Sequence, residues 1–321
     1  MMMRLGKWLG AMAIGLVMGA PAMSAPQAPT GPIKLVVPYP PGGGADKVAR
    51  LVGQRLGEVL GQTIVVENKG GAGGSIGTQY VARSAADGTT LLLAPTAIMA
   101  VTPYLRHVEY DPEKDFVSIA KLTSSIGIVT VRKDFPAQNI QGLIEYGKQH
   151  PGKLTYGSAG LGTLTHLQAA ALMQRLGIEA LHVPYKGSSE ALNDLMGGRI
   201  DLVVDSLTLP QVLNGSVKAL AITRNNRSAA LPDVPTLEEQ RAVLGIPSWF
   251  GIYAPAGTPQ AVVDRLGKAA GEVMAGPDME EQLASMSMYP SFQGPAEFAK
   301  QLKIDTAQCR ELIKQVNIKL Q

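Results

Sequence analysis

From residue 33 onward the chain alternates short β-branched and aliphatic runs with stretches of helical period, and this alternation constrains the fold more than any other feature. A strand, a helix and a strand in succession close well only as a parallel pair with the helix laid over the sheet, so the pattern predicts an α/β protein. Ile33-Lys34-Leu35-Val36-Val37 reads as a buried strand. A Gly/Pro turn follows, then a helix with Val48, Val52, Leu56 and Val59 on one face and Asp46 as its cap. Thr63-Ile64-Val65-Val66 is the next strand, residues 70–77 lead into a helix ending near residue 84, and residues 89–94 form a third strand.

A second series repeats the logic. Residues 153–156 read as a strand, 163–176 as a helix stopped by Gly177, 180–184 as a strand and 188–196 as a helix stopped by Gly197. Residues 200–204 and 217–223 are further strands. Residues 116–131 are too long for one internal strand and read as a crossing between the two series; Trp249-Phe250-Gly251-Ile252-Tyr253-Ala254 reads as the crossing back. Thr258 is the expected cap of a helix opening on Pro259 and burying Val262, Leu266, Ala269 and Val273, and a last helix spans roughly 295–316. The fold class is therefore α/β with two βα lobes joined by a two-strand hinge: residues 25–126, 127–248 and 249–321, the outer two segments making one lobe. A chain of 321 residues is long enough for two such units.

Residues 1–24 stand apart. Arg4 and Lys7 precede an uncharged run of 13 residues from Trp8 to Ala20, short of the roughly 20 needed to span a bilayer as a helix. Small residues follow, and cleavage after Ala22 or after Ser24 satisfies the small-x-small rule, so this is a secretory signal peptide. The mature protein is expected in the periplasm of a Gram-negative cell. The formal charge of +3 then loses meaning: removing Arg4 and Lys7 leaves 27 basic residues against 26 acidic ones. No like-charge block remains to suggest nucleic acid as a partner. The single cysteine, Cys309, has no disulfide or C-x-x-C companion and reads as a small core residue.

Three glycine-rich turns sit where a strand hands over to a helix, at residues 40–46, 70–77 and 157–163. None carries the Lys-Ser/Thr pair of a phosphate loop. The G-x-G-x-x-G fingerprint fails at its last position in each, with Lys47, Ile76 and Thr165 where the third glycine belongs. Ser158 in Tyr156-Gly157-Ser158-Ala159-Gly160 approaches a nucleophile elbow, but Tyr156 replaces the first glycine, and no histidine occurs after His182 to serve the hydrolase order Ser, acid, His.

Without catalysis these loops suit an anion: amide groups at a helix N-terminus are unpaired and partly positive, glycine lets a ligand approach, and Ser158 and Thr163 add hydroxyls. Ligand crevices of open α/β sheets lie beyond the carboxyl ends of the strands, where the first and third turns fall. The glycines of 70–74 serve either a tight turn or a ligand. His107, His150, His166 and His182 lack metal-ligand spacing, and His166 reads as a locally bonded packing residue. Asp205, ending a strand, either caps the next turn or accepts a hydrogen bond from a ligand.

Several phrases together resemble the substrate-binding proteins of tripartite tricarboxylate transporters, the Bug family. They are Val37-Pro38-Tyr39-Pro40-Pro41-Gly42-Gly43 with Asp46 and Arg50, Val66-Glu67-Asn68, Asp87-Gly88-Thr89, Tyr110-Asp111-Pro112 with Asp115-Phe116, and His182-Val183-Pro184-Tyr185-Lys186-Gly187. Leu231-Pro232-Asp233-Val234-Pro235-Thr236 and Ala254-Pro255-Ala256-Gly257-Thr258-Pro259 complete the set, which covers essentially the whole mature chain. Val204 stands where the family often has an aromatic before the acid matching Asp205.

The resemblance implies a type II periplasmic binding fold whose lobes close over a small organic carboxylate and deliver it to the membrane permease subunits of a tripartite transporter. It implies that the loops at 39–45 and 158–163 grip one carboxylate end. The ligand-binding candidates are Tyr39, Pro41, Gly42, Gly43, Ala45, Thr96, Ser158, Ala159, Gly160, Thr163 and Asp205. A monomeric receptor that is not an enzyme, with no cofactor and no metal, is expected. The alternatives are a secreted α/β enzyme, either an esterase using Ser158 or an oxidoreductase with a degenerate glycine loop, and a ligand sensor without a transport role.

Overall fold

The computed structural model describes residues 31–316 except 224–226, 229, 243 and 245–247. The expected signal segment, 1–24, lies outside the described residues. The chain enters with β1 (Ile33–Val37), β2 (Ile64–Asn68), β3 (Thr90–Pro95) and β4 (Phe116–Ser125), then crosses to β5 (Ile128–Arg132), β6 (Leu154–Ser158), β7 (Ala180–Pro184), β8 (Leu202–Val204) and β9 (Val217–Ile222). It returns through β10 (Trp249–Pro255) and β11 (Met288–Gln293). These strands form two sheets, ordered β11-β4-β10-β3-β1-β2 and β7-β6-β8-β5-β9.

β1 pairs in parallel with β2 and β3, and β6 in parallel with β7 and β8, as the alternation predicts. The crossing strands depart from that pattern: β10 is antiparallel to β3 and β4, and β5 is antiparallel to β8 and β9. A strand that arrives from the other sheet has no crossover helix behind it, so nothing holds it to the parallel direction. The long segment 116–131 is two strands in different sheets, broken at Ile126-Gly127. β11 falls where no strand is expected; it carries Pro290, tolerated because the strand sits at a sheet edge.

The helices are α1 (Gly44–Leu60), α2 (Ser75–Ala82), α3 (Thr102–Leu105), α4 (Ile140–Gln149), α5 (Leu164–Leu176), α6 (Ser188–Met196), α7 (Leu209–Leu213), α8 (Gln260–Met274), α9 (Met279–Ala284) and α10 (Pro295–Gln315). Val48, Val52 and Leu56 of α1 pack with Val262, Leu266, Ala269 and Val273 of α8 over β1 and β3. Each such fully buried aliphatic contributes roughly 1.5–3 kcal/mol. A second core joins β5, β6 and β8 to Leu143 of α4 and Leu172 of α5.

Two expected caps are displaced. Asp46 lies within the first turn of α1, whose N-cap is Gly43, because Gly44 and Ala45 let the helix begin before the carboxylate. The Thr258 hydroxyl turns back to donate to the Pro255 carbonyl at 2.7 Å, leaving Pro259 at the N-cap of α8.

The two crossings run side by side. Ser125 N–H donates to Ser248 O at 2.8 Å and their hydroxyls touch, while Thr223 N–H donates to Gly127 O at 2.8 Å and Gly127 N–H to the Thr223 hydroxyl at 2.9 Å. α10 spans this junction: Phe298 and Leu302 pack on Trp249 and Tyr253, and Cys309 and Ile313 pack with Ala100 and Val101 from one side and Leu167 and Ala171 of α5 from the other. Cys309 is buried, and burial pushes its thiol up to about 12.

Candidate functional site

The first glycine loop leaves β1 at Val37 and ends at the N-terminus of α1. Its shape is set by one carboxylate. Asp46 Oδ2 accepts from Gly42 N–H at 2.9 Å and from Arg50 Nε at 3.0 Å, and Arg50 Nη2 lies 3.0 Å from Oδ1. Arg50 passes the network on to Asn68 Oδ1 at 3.2 Å, and Asn68 Nδ2 donates to the Tyr39 carbonyl at 3.1 Å. The Arg50 hydrogen bond holds the Asp46 carboxyl down at about 2, against the opposing effect of its burial.

Pro41, Gly42 and Gly43 are exposed, and Ala45 is buried beneath them. Among the described residues no partner takes the N–H groups of Gly43, Gly44 or Ala45, so the positive end of a 17-residue helix opens at the loop. Tyr39 is half-buried between the two cores of this sheet; its hydroxyl is raised by burial and by Tyr110, and lowered in part by Arg106. Asn68 and Arg50 organise this loop although neither is among the candidate ligand contacts. The signal for Asn68 was the phrase Val66-Glu67-Asn68, on the strand beside β1, and that for Arg50 was its place with Asp46 after the first phrase.

The second loop, between β6 and α5, is closed differently. Its amides already have partners: Ala159 N–H donates to Thr165 Oγ1 at 3.0 Å, Gly160 N–H to Ser158 Oγ at 3.1 Å, Gly162 N–H to His166 Nδ1 at 3.2 Å and Thr163 N–H to the Gly160 carbonyl at 3.3 Å. The second loop thus takes up the amides of 159, 160, 162 and 163, while Leu161 and the first two residues of α5, Leu164 and Thr165, keep theirs without a partner among the described residues. The short polar side chains that make the second loop attractive also close it. Thr163 is the N-cap of α5, accepting from His166 N–H at 3.3 Å and donating to Gly160 O at 2.7 Å.

Ser158 is buried, and its hydroxyl lies 2.7 Å from His182 Nε2. Chain order argued against a histidine for this serine; the register of β6 on β7, with Tyr156 opposite His182, supplies one. No carboxylate meets His182 among the described residues, so the pair lacks the third member that would orient a hydrolytic base. His166 and His182 stack with ring centres 3.8 Å apart and planes within 6°, and Tyr156 stacks on His182 at 5.0 Å. Burial lowers both imidazoles to about 4, with the neighbouring His166 adding to the effect on His182.

Two candidates are already engaged. Asp205 caps the turn after β8, accepting from Leu207 N–H at 2.9 Å and from the Ser188 hydroxyl; burial raises its carboxyl against these bonds. Thr96 is fully buried, its hydroxyl 3.0 Å from Trp249 N–H and 3.4 Å from Trp249 O, and so ties β3 to the crossing strand. Ser158, Thr165, Ser188, Asp205 and Thr208 border a crevice with about 220 Å³ of empty space, too narrow to admit a water. Val204 is buried in the second core.

The glycines at 70–74 are explained by turn and packing. Gly71, Gly73 and Gly74 have positive φ, and a Cβ on Gly74 would lie 2.5 Å from Ile98 Cδ1. Gly70 also abuts Pro40, so this turn backs the first loop. Among the described residues no helix is long and apolar enough to cross a membrane, and no group of three or more His, Cys, Asp and Glu is placed to hold a metal ion.

Residues 48–318 match the sequence model of the tripartite tricarboxylate transporter family receptor. The periplasmic binding protein BugD is 36% identical, with a TM-score of 0.77 over 91% of this chain and 100% of its own. An R. palustris protein, Rpa4515, solved with adipate, is 32% identical with a TM-score of 0.80 over 91% and 99%. MatC from Rhodopseudomonas palustris, solved with bound malate, is 29% identical with a TM-score of 0.74 over 89% and 99%.

Proposed function

The chain belongs to the tripartite tricarboxylate transporter receptor family, and from that premise we propose that it captures a small organic carboxylate between its two lobes and hands it to the membrane permease subunits of a tripartite transporter. The observation that carries this reading is the N-terminus of α1, where the amides of Gly43, Gly44 and Ala45 have no partner among the described residues, on a loop braced by Asp46, Arg50 and Asn68. A carboxylate oxygen matches that array in charge and in hydrogen-bonding sense. The adipate and malate held by two relatives support the same ligand class.

On this reading Tyr39, Pro41, Gly42, Gly43 and Ala45 form the first jaw, and Ser158, Ala159, Gly160 and Thr163 the second. Asp205 and Thr96 act behind them, shaping the walls. The lobes comprise residues 25–126 with 249–321 and residues 127–248, hinged where Ser125 meets Ser248 and Gly127 meets Thr223. The protein is exported by cleavage of residues 1–24 and works as a periplasmic monomer. Binding rather than hydrolysis is the role of Ser158, whose oxygen is shared among Gly160 N–H, Gly160 O and His182.

Thermal unfolding against mono- and dicarboxylates, amino acids and amides tests the proposal. A ligand present at 100 times its dissociation constant adds about 2.7 kcal/mol of apparent stability. A carboxylate is expected to raise the midpoint. If no carboxylate does so while p-nitrophenyl acetate is turned over and Ser158→Ala abolishes that turnover, the receptor reading is wrong.

A further inference from the structure

The stacked imidazoles of His166 and His182 hold the second loop from beneath, and nothing in the proposed capture of a ligand uses them directly. They come from different elements, α5 and β7, and meet only because the chain brings both against β6. Each spends one ring nitrogen on the loop. Gly162 N–H can only donate, so His166 Nδ1, 3.2 Å away, must accept and cannot carry a proton. His182 Nε2 is 2.7 Å from the Ser158 hydroxyl, which also receives Gly160 N–H. The pair therefore touches both ends of the turn that spans residues 158–162.

We infer that His166 and His182 are positioning residues for ligand capture, a neutral stacked pair that sets the shape of the second loop and through which acid opens it. The inference rests on the reading of this loop as one jaw of the carboxylate site. Protonating His166 turns Nδ1 from acceptor to donor, which expels Gly162 N–H. Protonating His182 fixes Nε2 as a donor to Ser158, which leaves the serine proton to Gly160 O, 3.1 Å away, or to the ligand and removes the alternative bond from serine to imidazole. Two imidazolium rings stacked face to face repel, so the protons enter as coupled steps of the pair.

The surroundings leave the pair to itself. Tyr156 of β6 stacks on His182, Tyr185 beyond β7 is bonded to Asp194, and Asp205 beyond β8 is bonded to Leu207 and Ser188. Among the described residues no Lys, Arg, Asp or Glu pairs with either ring, so burial and the neighbouring imidazole set the titration, near pH 4. One pH unit below the pair's midpoint, a binding-competent fraction near one tenth raises the apparent dissociation constant about tenfold.

The test follows the unliganded, isotope-labelled protein by NMR from pH 7 downward. Exchange protection of the Gly162 amide is expected to fall in step with the His166 ring carbon shift, while the amides in the interior of α1 remain protected. His166→Asn, whose Oδ1 takes the place of Nδ1 and does not titrate, is expected to remove that step; if this variant fails to fold, coincidence of the two wild-type titrations decides. Adipate affinity is then measured at pH 6.5 and near pH 4, and the ratio within wild type is expected to exceed the ratio within His166→Asn, ligand ionisation being common to both. Loop opening in step with His166 but without any adipate response supports the clasp and counts against the carboxylate reading. Gly162 protection that ignores the His166 titration, or a step that survives in His166→Asn, overturns the inference.

Discussion

Thr163→Val deletes a hydroxyl while keeping the volume and the β-branch, which makes it the sharpest probe of how the second loop is held. Besides a 3.1 Å contact with the Thr165 hydroxyl, the hydroxyl has two structural bonds to the backbone: it accepts His166 N–H at 3.3 Å as the N-cap of α5 and donates to the Gly160 carbonyl at 2.7 Å. Losing an N-cap costs about 1 kcal/mol, and the Gly160 bond contributes about 1 kcal/mol more. The site is only half-buried, so water recovers part of this, and the net loss should be about 1–2 kcal/mol. For a protein of this size that is a fall in melting temperature of about 1.5–3 °C. Urea unfolding followed by circular dichroism measures the first quantity and a thermal scan the second, with Thr163→Ser, which keeps both bonds, expected within about 0.5 kcal/mol of wild type. The stabilisation by adipate should be lost in Thr163→Val and retained in Thr163→Ser. A Thr163→Val protein with unchanged unfolding midpoint and unchanged ligand response would refute the assignment of the loop's shape to this hydroxyl.

Other perturbations separate the two loops. Gly160 has φ +127, and an added Cβ would lie 3.1 Å from the Tyr185 carbonyl, so Gly160→Ala should cost about 1–3 kcal/mol and abolish the adipate shift, whereas Gly187→Ala, with no atom within 4 Å of the new Cβ, should be nearly silent in the same melt. Asp46→Asn removes the charge that Arg50 faces, and because the wild-type carboxyl is lowered from 3.8 to about 2, the stabilisation is present above pH 3.8 and lost as pH falls through about 2; denaturation midpoints of the two proteins should differ at neutral pH and converge in strong acid. His166 and His182 act in the same sense in a higher window: their folded values lie near 4, below the ordinary 6.5, so the unfolded chain binds more protons between those limits and wild-type stability should decline as pH falls from 6.5 to 4, a slope that His166→Asn and His182→Gln each reduce.

What was readable in the sequence is what local spacing decides. Thr163 and Gly177 bracket α5 as expected, because a cap acts over three residues and a left-handed stop over four; Gly177 has φ 65, and Ile178 N–H closes on Met173 O at 2.9 Å. Asp46 was visible as a helix-start residue but misplaced, since two small residues before it extend the helix at little cost. β11 was not readable: Met288-Tyr289-Pro290-Ser291-Phe292-Gln293 has no clean alternation and becomes a strand by pairing with the edge of β4. α4 carries its own Asn139 cap, which accepts from Gly142 N–H at 2.8 Å, a local signal that the reading of this stretch left unused.

The site was readable only in part for a related reason. That the second loop keeps its amides for itself depends on His166, within reach along the chain, but the serine at its start answers to His182, 24 residues on, and that contact exists only once β6 and β7 are in register. At the first loop, Asp46 and Arg50 are one helical turn apart, while Asn68 reaches them from β2 and bonds back to Tyr39 across 29 residues. Three of the scattered phrases that made the chain resemble a family thus feed two contact sets. Tyr39, Asp46, Arg50 and Asn68 make one; the Tyr156-Gly157-Ser158 strand end and His182 make the other. The first set leaves helix amides without a partner, and the second takes up most of its turn amides with side chains that include His166. On the proposed reading the two jaws are therefore asymmetric, one offering the partly positive end of a helix to a carboxylate and the other shaped by neutral imidazoles, a difference that follows from which side chains each set contains.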